Sequence, residues 1–209
     1  METSVIKQSN PQSAEFAREV LQDGGVIAIP TDTVYGIACL VDKPNSIKRL
    51  YKIKKRELVK AIPVLIGTLE QTSGITAKFS SAAFVLSQCF WPGALTLVIN
   101  KHPKLPFELT SYPTVGIRMP DHVWLRSLMQ SCGPLAATSA NISGQPSLLT
   151  AEKVLDELGG RVDLIIDGGT CTGGIPSTVI DCTLSPVKVL REGGIPVSAI
   201  HRVLEEYNY

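Results

Sequence analysis

A cluster of basic residues in the first third of the chain could bind a polyanion. The chain has 209 residues, 20 Lys+Arg, 19 Asp+Glu and a formal net charge of +1. Eight of its basic residues nevertheless lie between positions 43 and 60, against one acid: Lys43, Lys48, Arg49, Lys52, Lys54, Lys55, Arg56 and Lys60, with Glu57. On a helix, Lys52 and Arg56 would share one face, where like charges repel unless an anion neutralises them. A nucleoside triphosphate or a nucleic-acid backbone is such an anion, and a plain solvated helix face is the alternative.

Three loops rich in small hydroxyl residues follow apolar segments of the chain. They are TDTVYG after VIAIP, SANISG after PLAAT, and GGTCTGGIPST after VDLIID. Ligand sites in open α/β sheets form where such loops meet beyond the ends of strands, although each loop alone is better explained as a turn. The three loops together with the basic cluster indicate a binding site.

The motifs that the sequence lacks argue against several common kinds of active site. The sequence contains no G-x-x-x-x-G-K-[ST] element, no G-x-G-x-x-G after a strand and no G-x-S-x-G, which argues against a P-loop, a Rossmann dinucleotide site and a hydrolase elbow. His122, the histidine nearest in sequence to the Ser-rich loops, has no evident partner acid beyond Asp121, so no convincing pair of nucleophile and base is present. A reaction that depends on positioning and charge stabilisation, such as phosphoryl or nucleotidyl transfer, fits this composition.

Composition predicts a folded, cytoplasmic protein without a metal of its own. The five cysteines are scattered without a C-x-x-C pair and the three histidines form no H-E-x-x-H motif, so neither a disulfide framework nor a transition-metal site is expected. No apolar run of 18 residues is present and the N-terminus does not resemble a signal peptide. No contact with a membrane is therefore expected.

Hydrophobic periodicity predicts the elements that position these loops. Helices are expected at 11–21, 45–53, 80–90, 121–130 (with Asp121 as its cap), 150–158 and 196–206. Strands are expected at 26–30, 37–41, 62–66, 94–99, 114–119, 134–138, 162–167, 177–182 and 187–192. Because several strands follow one another directly, we expect an α/β fold: a single domain with a twisted mixed sheet, parallel and antiparallel, and helices on its faces.

Seven motifs in order resemble the YrdC-type threonylcarbamoyl-adenylate synthase family in its short form. They are PTDTVYG (30–36), KIKKR (52–56), WPGALTLV (91–98), TVGIRMPDH (114–122), PLAATSANISGQPS (134–147), STVID (177–181) and VLREGGI (189–195). The resemblance spans about 6–204 and implies one YrdC-like domain over 1–209 with a large basic cavity.

The resemblance also implies the reaction. L-threonine, bicarbonate or CO2, and ATP give threonylcarbamoyl-AMP and pyrophosphate, with Mg²⁺ arriving on ATP. A partner threonylcarbamoyl transferase complex then modifies adenosine 37 of tRNAs that read ANN codons. Whether this chain itself touches tRNA stays open.

Site residues are implied by the same resemblance. Lys52 and Arg56 would act on the ATP phosphates as the catalytic pair. The other ATP-binding residues would be Lys54, Thr114, Ser139, Asn141, Ser147 and Arg191. Those that bind threonine would be Thr33, Arg118, Ala137 and Ser177, with Arg118 as a fork onto the carboxylate.

The sequence differs from the common family pattern at four positions, and two other functions are alternatives. Lys55 stands where many relatives have Gly, Glu57 where they have Pro, and Leu65 where some have a threonine-contacting His. The hydroxyl of Thr138 stands where many have Pro. The alternatives are a tRNA- or double-stranded-RNA-binding module, and a carbamoyl-adenylate-forming domain.

Overall fold

The computed structural model describes residues 2–209, and within them six α-helices and eleven strands form one sheet-and-helix unit. The helices are α1 Ser13–Gln22, α2 Pro44–Lys54, α3 Ser81–Phe90, α4 Val123–Cys132, α5 Ala151–Leu158 and α6 Val197–Glu206. The strands are β1 Ser4–Lys7, β2 Ile27–Ile29, β3 Gly36–Leu40, β4 Val64–Leu65, β5 Thr76–Lys78, β6 Leu95–Lys101, β7 Thr114–Arg118, β8 Leu135–Ser139, β9 Leu164–Asp167, β10 Thr178–Asp181 and β11 Lys188–Arg191. Short 3-10 helices cover Leu69–Gly74 and Phe107–Leu109.

The predicted elements are confirmed. Each of the six helices lies within two residues of its expected bounds at both ends. All nine expected strands are present, and β1 and β5 are additional. The expected cap of α4 is wrong by one residue, because the side chain of His122, and not that of Asp121, accepts the hydrogen bond from the Leu125 amide.

The sheet is mixed, as expected. Its strand order is β1-β9-β2-β3-β8-β4-β7-β6-β10-β11, with β5 paired to β6. The pairs β1–β9, β2–β9, β4–β7 and β6–β10 are parallel, and the others are antiparallel.

None of the helices within residues 2–209 has the length and hydrophobicity that a membrane span needs.

The two faces of the sheet are covered differently. On one face, α2, α3, α5 and α6 bury the larger hydrophobic core, with side chains such as Ile47, Leu86 and Ile200. On the other face, α1 and α4 form a smaller core, which includes Leu21 and Leu125. Helix α1 contacts β9, β2 and β3, so this smaller core covers the half of the face that these strands form.

Polar strand residues mark the other half of that face. Side chains alternate between faces along a strand, and Leu95 and Leu97 point into the larger core. Thr96 between them therefore points to the opposite face. Its neighbours across the sheet there are Val179 on β10 and, beyond it, Arg191 on β11. The register thus places two polar side chains, Thr96 and Arg191, on the uncovered half of the sheet, with Val179 between them.

Candidate functional site

A cavity of about 310 Å³ lies on this uncovered half of the sheet. The TDT loop, the loop after β8, the start of β10 and the end of β11 all contribute to its wall. Nine of the predicted site residues line it: Thr33, Arg56, Arg118, Ala137, Ser139, Asn141, Ser147, Ser177 and Arg191. The three hydroxyl-rich loops, which are far apart in sequence, therefore meet in one place.

Arg118, at the end of β7, anchors one side of the cavity. It is only 7% exposed. Its Nε donates to the Gly93 carbonyl at 2.9 Å, Nη1 donates to Thr33 Oγ1 at 3.1 Å, and Nη2 donates to Asp32 Oδ1 at 2.5 Å. Burial lowers the Arg118 pKa, and the Asp32 carboxylate acts against that shift. A guanidinium has five N–H groups, so two remain for a ligand after these three bonds.

The TDT turn presents Thr33 to Arg118. Thr31 Oγ1 accepts hydrogen bonds from the Thr33 and Val34 amides, at 3.1 and 3.2 Å, and donates to the Val34 carbonyl at 2.7 Å. The glycine-rich loop packs on this turn: the Gly174 amide donates to the Thr33 carbonyl at 2.9 Å. A Cβ added to Gly173 would contact the Asp32 carbonyl oxygen and lie 2.9 Å from Thr33 Cα. Only glycine allows this approach.

Ser177 and Arg191 form the opposite side. The Ser177 hydroxyl lies 2.8 Å from Thr96 Oγ1. Arg191 donates to the Ser177 carbonyl from Nε at 3.1 Å and from Nη2 at 2.7 Å. The Arg191 side chain thereby holds the start of β10 and still lines the cavity.

Arg56 enters the cavity because α2 ends before it. The helix stops at Lys54, and Lys55 takes a left-handed conformation, φ 50° and ψ 42°. This is the conformation that favours Gly at a helix C-terminus. The chain therefore keeps this turn although Lys55 stands in place of the common Gly. The Arg56 guanidinium then donates to the carbonyls of Lys60 and Ala61, each at 3.0 Å.

Lys54 lies behind the cavity wall and not in it. Its side chain is 1% exposed. Nζ donates to the carbonyls of Ser139 and Asn141, at 2.5 and 2.6 Å, and lies 3.2 Å from Asn141 Oδ1. Burial, and then the nearby Arg56 charge, lower the Lys54 pKa to about 8, while Glu157 acts in the opposite direction. The ammonium is thus held by the loop after β8.

Two predicted site residues lie elsewhere. Lys52 is exposed on α2 and lines a second groove beside Lys48 and Phe107, which Arg56 lines as well. Thr114 begins β7, pairs with Asn100, and lies four residues from Arg118, roughly 13 Å along an extended strand. Neither residue is among those that line the cavity.

The charged side chains that line the cavity are all arginines, and one of them, Arg118, is paired with Asp32. Arg56, Arg118 and Arg191 line the cavity, and no Asp or Glu is among the described residues that do so. Burial lowers the pKa of Arg191, and the charges of Arg118 and Arg56 lower it further. Crowded cations with few counter-charges are the physical signature of an anion site.

Several lining residues escaped the sequence analysis. Thr31, Thr96 and Gln145 contribute polar groups, and Pro63 also lines the cavity. Thr96 carried a signal, since a threonine interrupts the apolar strand ALTLVI. Leu65 and Thr138, two of the departures from the common pattern, also line the cavity.

Within residues 2–209, no three His, Cys, Asp or Glu side chains are grouped as a metal site would require.

Fold and site together define an α/β protein with a mixed sheet and a cavity lined by three arginines and several hydroxyl side chains. A family model named Sua5_yciO_yrdC, described as telomere recombination, matches residues 19–193. The threonylcarbamoyl-AMP synthase of Pyrococcus abyssi is 38% identical over 193 residues, which are 91% of this chain and 57% of that protein. This chain thus spans less than two thirds of that relative.

Two solved structures share the fold closely. One is P. abyssi Sua5 complexed with L-threonine, with a TM-score of 0.90 and 35% identity over 97% of this chain and 60% of that one. The other is E. coli YciO, with a TM-score of 0.85 and 29% identity over 95% of this chain and 98% of that one. The chain belongs to the Sua5/YciO/YrdC family.

Proposed function

We propose that this chain is an L-threonylcarbamoyladenylate synthase, a nucleotidyltransferase that acts in the cytoplasm. The threonine amine adds to CO2, supplied as such or as bicarbonate, and loses a proton to give a carbamate. A carbamate oxygen then attacks the α-phosphorus of ATP, the bond to the β-phosphate oxygen breaks, and pyrophosphate leaves. The YrdC-like unit that performs this reaction extends over about residues 6–204.

The amino acid binds at the Arg118 side. The two N–H groups of Arg118 without a protein partner donate to the substrate carboxylate as a fork. Thr33 beside it, the Ala137 backbone and Ser177 complete this half of the site. Leu65 lines the same cavity and offers the amino acid an apolar surface, where some relatives have a histidine.

The triphosphate binds between Arg56 and Arg191. Negative charge develops on phosphate oxygens as pyrophosphate leaves, and fixed arginine donors stabilise it without reorganisation. Ser139, Asn141 and Ser147 donate or accept hydrogen bonds on the same wall. Mg²⁺ comes with ATP, because this ion commonly relies on substrate phosphates and water for most of its ligands. At about 310 Å³ the cavity is at the lower end for small-molecule sites, so part of the nucleotide would lie at its open rim.

One observation carries the proposal: three arginines, of which Arg118 pairs with Asp32, meet hydroxyl loops of a family whose P. abyssi member is a threonylcarbamoyl-AMP synthase. The product is a reactive mixed anhydride. A threonylcarbamoyl transferase complex would consume it to modify adenosine 37 of ANN-decoding tRNAs.

Pyrophosphate release from ATP tests the proposal, measured with and without L-threonine and with and without bicarbonate. We expect release only when both are present. We expect Arg118→Lys to raise the KM for threonine at least tenfold, because a single ammonium cannot form the fork.

Two outcomes would overturn the synthase assignment. Turnover that ignores threonine would favour a carbamoyl-adenylate-forming domain. RNA binding with strong salt dependence and no ATP turnover would favour an RNA-binding module.

A further inference from the structure

The loop 140–149 between β8 and α5 has no regular secondary structure and yet carries much of the proposed nucleotide wall. Asn141 and Ser147 belong to it, and Ser139 immediately precedes it. A binding loop needs supports that hold it when no ligand is present. Some of these supports lie outside the cavity.

Lys54 is the first support. Its ammonium has three donors, and four oxygens of Ser139 and Asn141 lie within 3.3 Å of Nζ. Its carbonyl also accepts from the Ser143 amide at 2.9 Å. Because these donors are already engaged inside the protein, Lys54 holds the loop from behind.

Glu157, on α5, is the second support. Its Oε1 accepts a hydrogen bond from the Ile142 amide at 2.6 Å. In the same turn, Asn141 Nδ2 donates to the carbonyls of Ile142 and Gln145, at 2.9 and 2.6 Å. The half-buried carboxylate is thus bonded to the backbone next to Asn141, which itself lines the cavity.

The charge of Glu157 adds a second effect. It acts on the Lys54 ammonium and opposes the shift that burial imposes on the Lys54 pKa. One carboxylate therefore bonds the loop directly and also favours the protonated state of the lysine that holds the loop from the other side.

We propose that Glu157 is a positioning residue for the nucleotide half of the site: it holds the Asn141–Ser147 loop against Lys54 without touching the nucleotide. This inference rests on the proposed function, since that function assigns the loop to ATP. It predicts that a residue of α5 that does not line the cavity changes ATP binding selectively.

The variants follow from the two effects. Glu157→Ala removes both the hydrogen bond and the charge, whereas Glu157→Gln keeps an oxygen acceptor for the Ile142 amide and removes only the charge. The adjacent Asp156 is exposed on the same helix, so Asp156→Ala and Asp156→Asn are matched controls for helix propensity and net charge.

The measurement is calorimetric binding of ATP and, separately, of L-threonine, with pyrophosphate release recorded on the same proteins. We expect Glu157→Ala to weaken ATP binding about tenfold, in line with the loss of one charge-assisted hydrogen bond, and to leave threonine binding within twofold. Glu157→Gln should approach wild type at pH 7 and weaken as pH rises, because loss of the carboxylate lowers the Lys54 pKa further below about 8. Both Asp156 variants should behave as wild type.

The proposal is overturned if ATP binding to Glu157→Ala stays within twofold of wild type, or if ATP and threonine binding weaken equally. It is also overturned if the Asp156 variants show the same loss. Wild-type protein that binds ATP but releases no pyrophosphate would remove the synthase assignment and leave the positioning role standing. Wild-type protein that does not bind ATP would remove both.

Discussion

The Arg118–Asp32 ion pair offers a test of how strongly the cavity is desolvated. The Arg118 side chain is 8% exposed and that of Asp32 is 15% exposed. Arg118→Ala would leave the carboxylate in this environment without its cation and would also remove the donors to Thr33 and Gly93. Removing one partner of a buried pair costs about 3–5 kcal/mol. For a chain of this size each kcal/mol lowers Tm by roughly 2–4 °C, so a loss of about 10 °C is expected.

The assay is urea unfolding followed by tryptophan fluorescence, which Trp91 and Trp124 provide. Adding Asp32→Asn to the Arg118→Ala variant should recover about half of the lost stability, because the uncompensated carboxylate accounts for a large part of the cost and the lost donors to Thr33 and Gly93 account for the rest. Arg18→Ala is the control, since Arg18 pairs with Glu15 at the surface and exposed pairs contribute little.

Two results would refute this reasoning. The first is an Arg118→Ala variant that is no less stable than Arg18→Ala. The second is a double variant no more stable than the single one. Either would mean that water reaches the pair freely and that Arg118 is not held in a dry site.

Three further outcomes are expected. Gly173→Ala should raise the threonine KM several-fold and lower Tm, because its Cβ would displace the Asp32–Thr33 backbone, whereas Gly74→Ala, which meets no atom within 4 Å, should do neither. Lys52→Ala should leave the ATP KM within twofold of wild type in the pyrophosphate assay, since Lys52 lies outside the cavity; a tenfold rise would contradict the geometry. Burial lowers the pKa of His122 below its usual 6.5. The neutral imidazole therefore stabilises the folded protein above pH 6.5, and this contribution is lost as pH falls through the lowered pKa. Urea unfolding between pH 4 and 8 should show this loss in wild type and not in His122→Asn.

Most of the fold could be predicted from the sequence because its signals are local. Apolar β-branched runs such as VIAIP and helix stops such as Gly24-Gly25 depend on neighbours within a few residues. The missing strand β1, Ser4–Lys7, has only one partly buried residue, Ile6. A strand this exposed has little hydrophobic pattern, and only its pairing with β9 makes it a strand.

The candidate site was less predictable because one turn decides which basic residues reach it. Spacing placed Lys52 and Arg56 on one helical face, which holds only while the helix continues. Helix α2 ends at Lys54, between the two residues, and the left-handed Lys55 redirects the chain. Arg56 therefore faces the cavity, and Lys52 stays on the exposed side of the helix. A left-handed lysine is unfavourable for an L-residue, and a sequence without Gly at that position carries no local signal for it.

The cavity itself follows from incomplete coverage of the sheet. A strand covered on both faces reads as continuous apolar sequence, and Thr96 and Arg118 break that rule on β6 and β7. Helices α1 and α4 cover only one half of the sheet face on which they pack. The side chains of Thr96 and Arg118 lie on the other half, where they line the cavity and not a hydrophobic core. Arg56, Arg118 and Arg191 line this cavity, and the charges of Arg118 and Arg56 lower the pKa of Arg191, so a bound anion would relieve this repulsion. The proposed triphosphate would gain affinity from these three arginines, of which only Arg56 belongs to the basic cluster at 43–60.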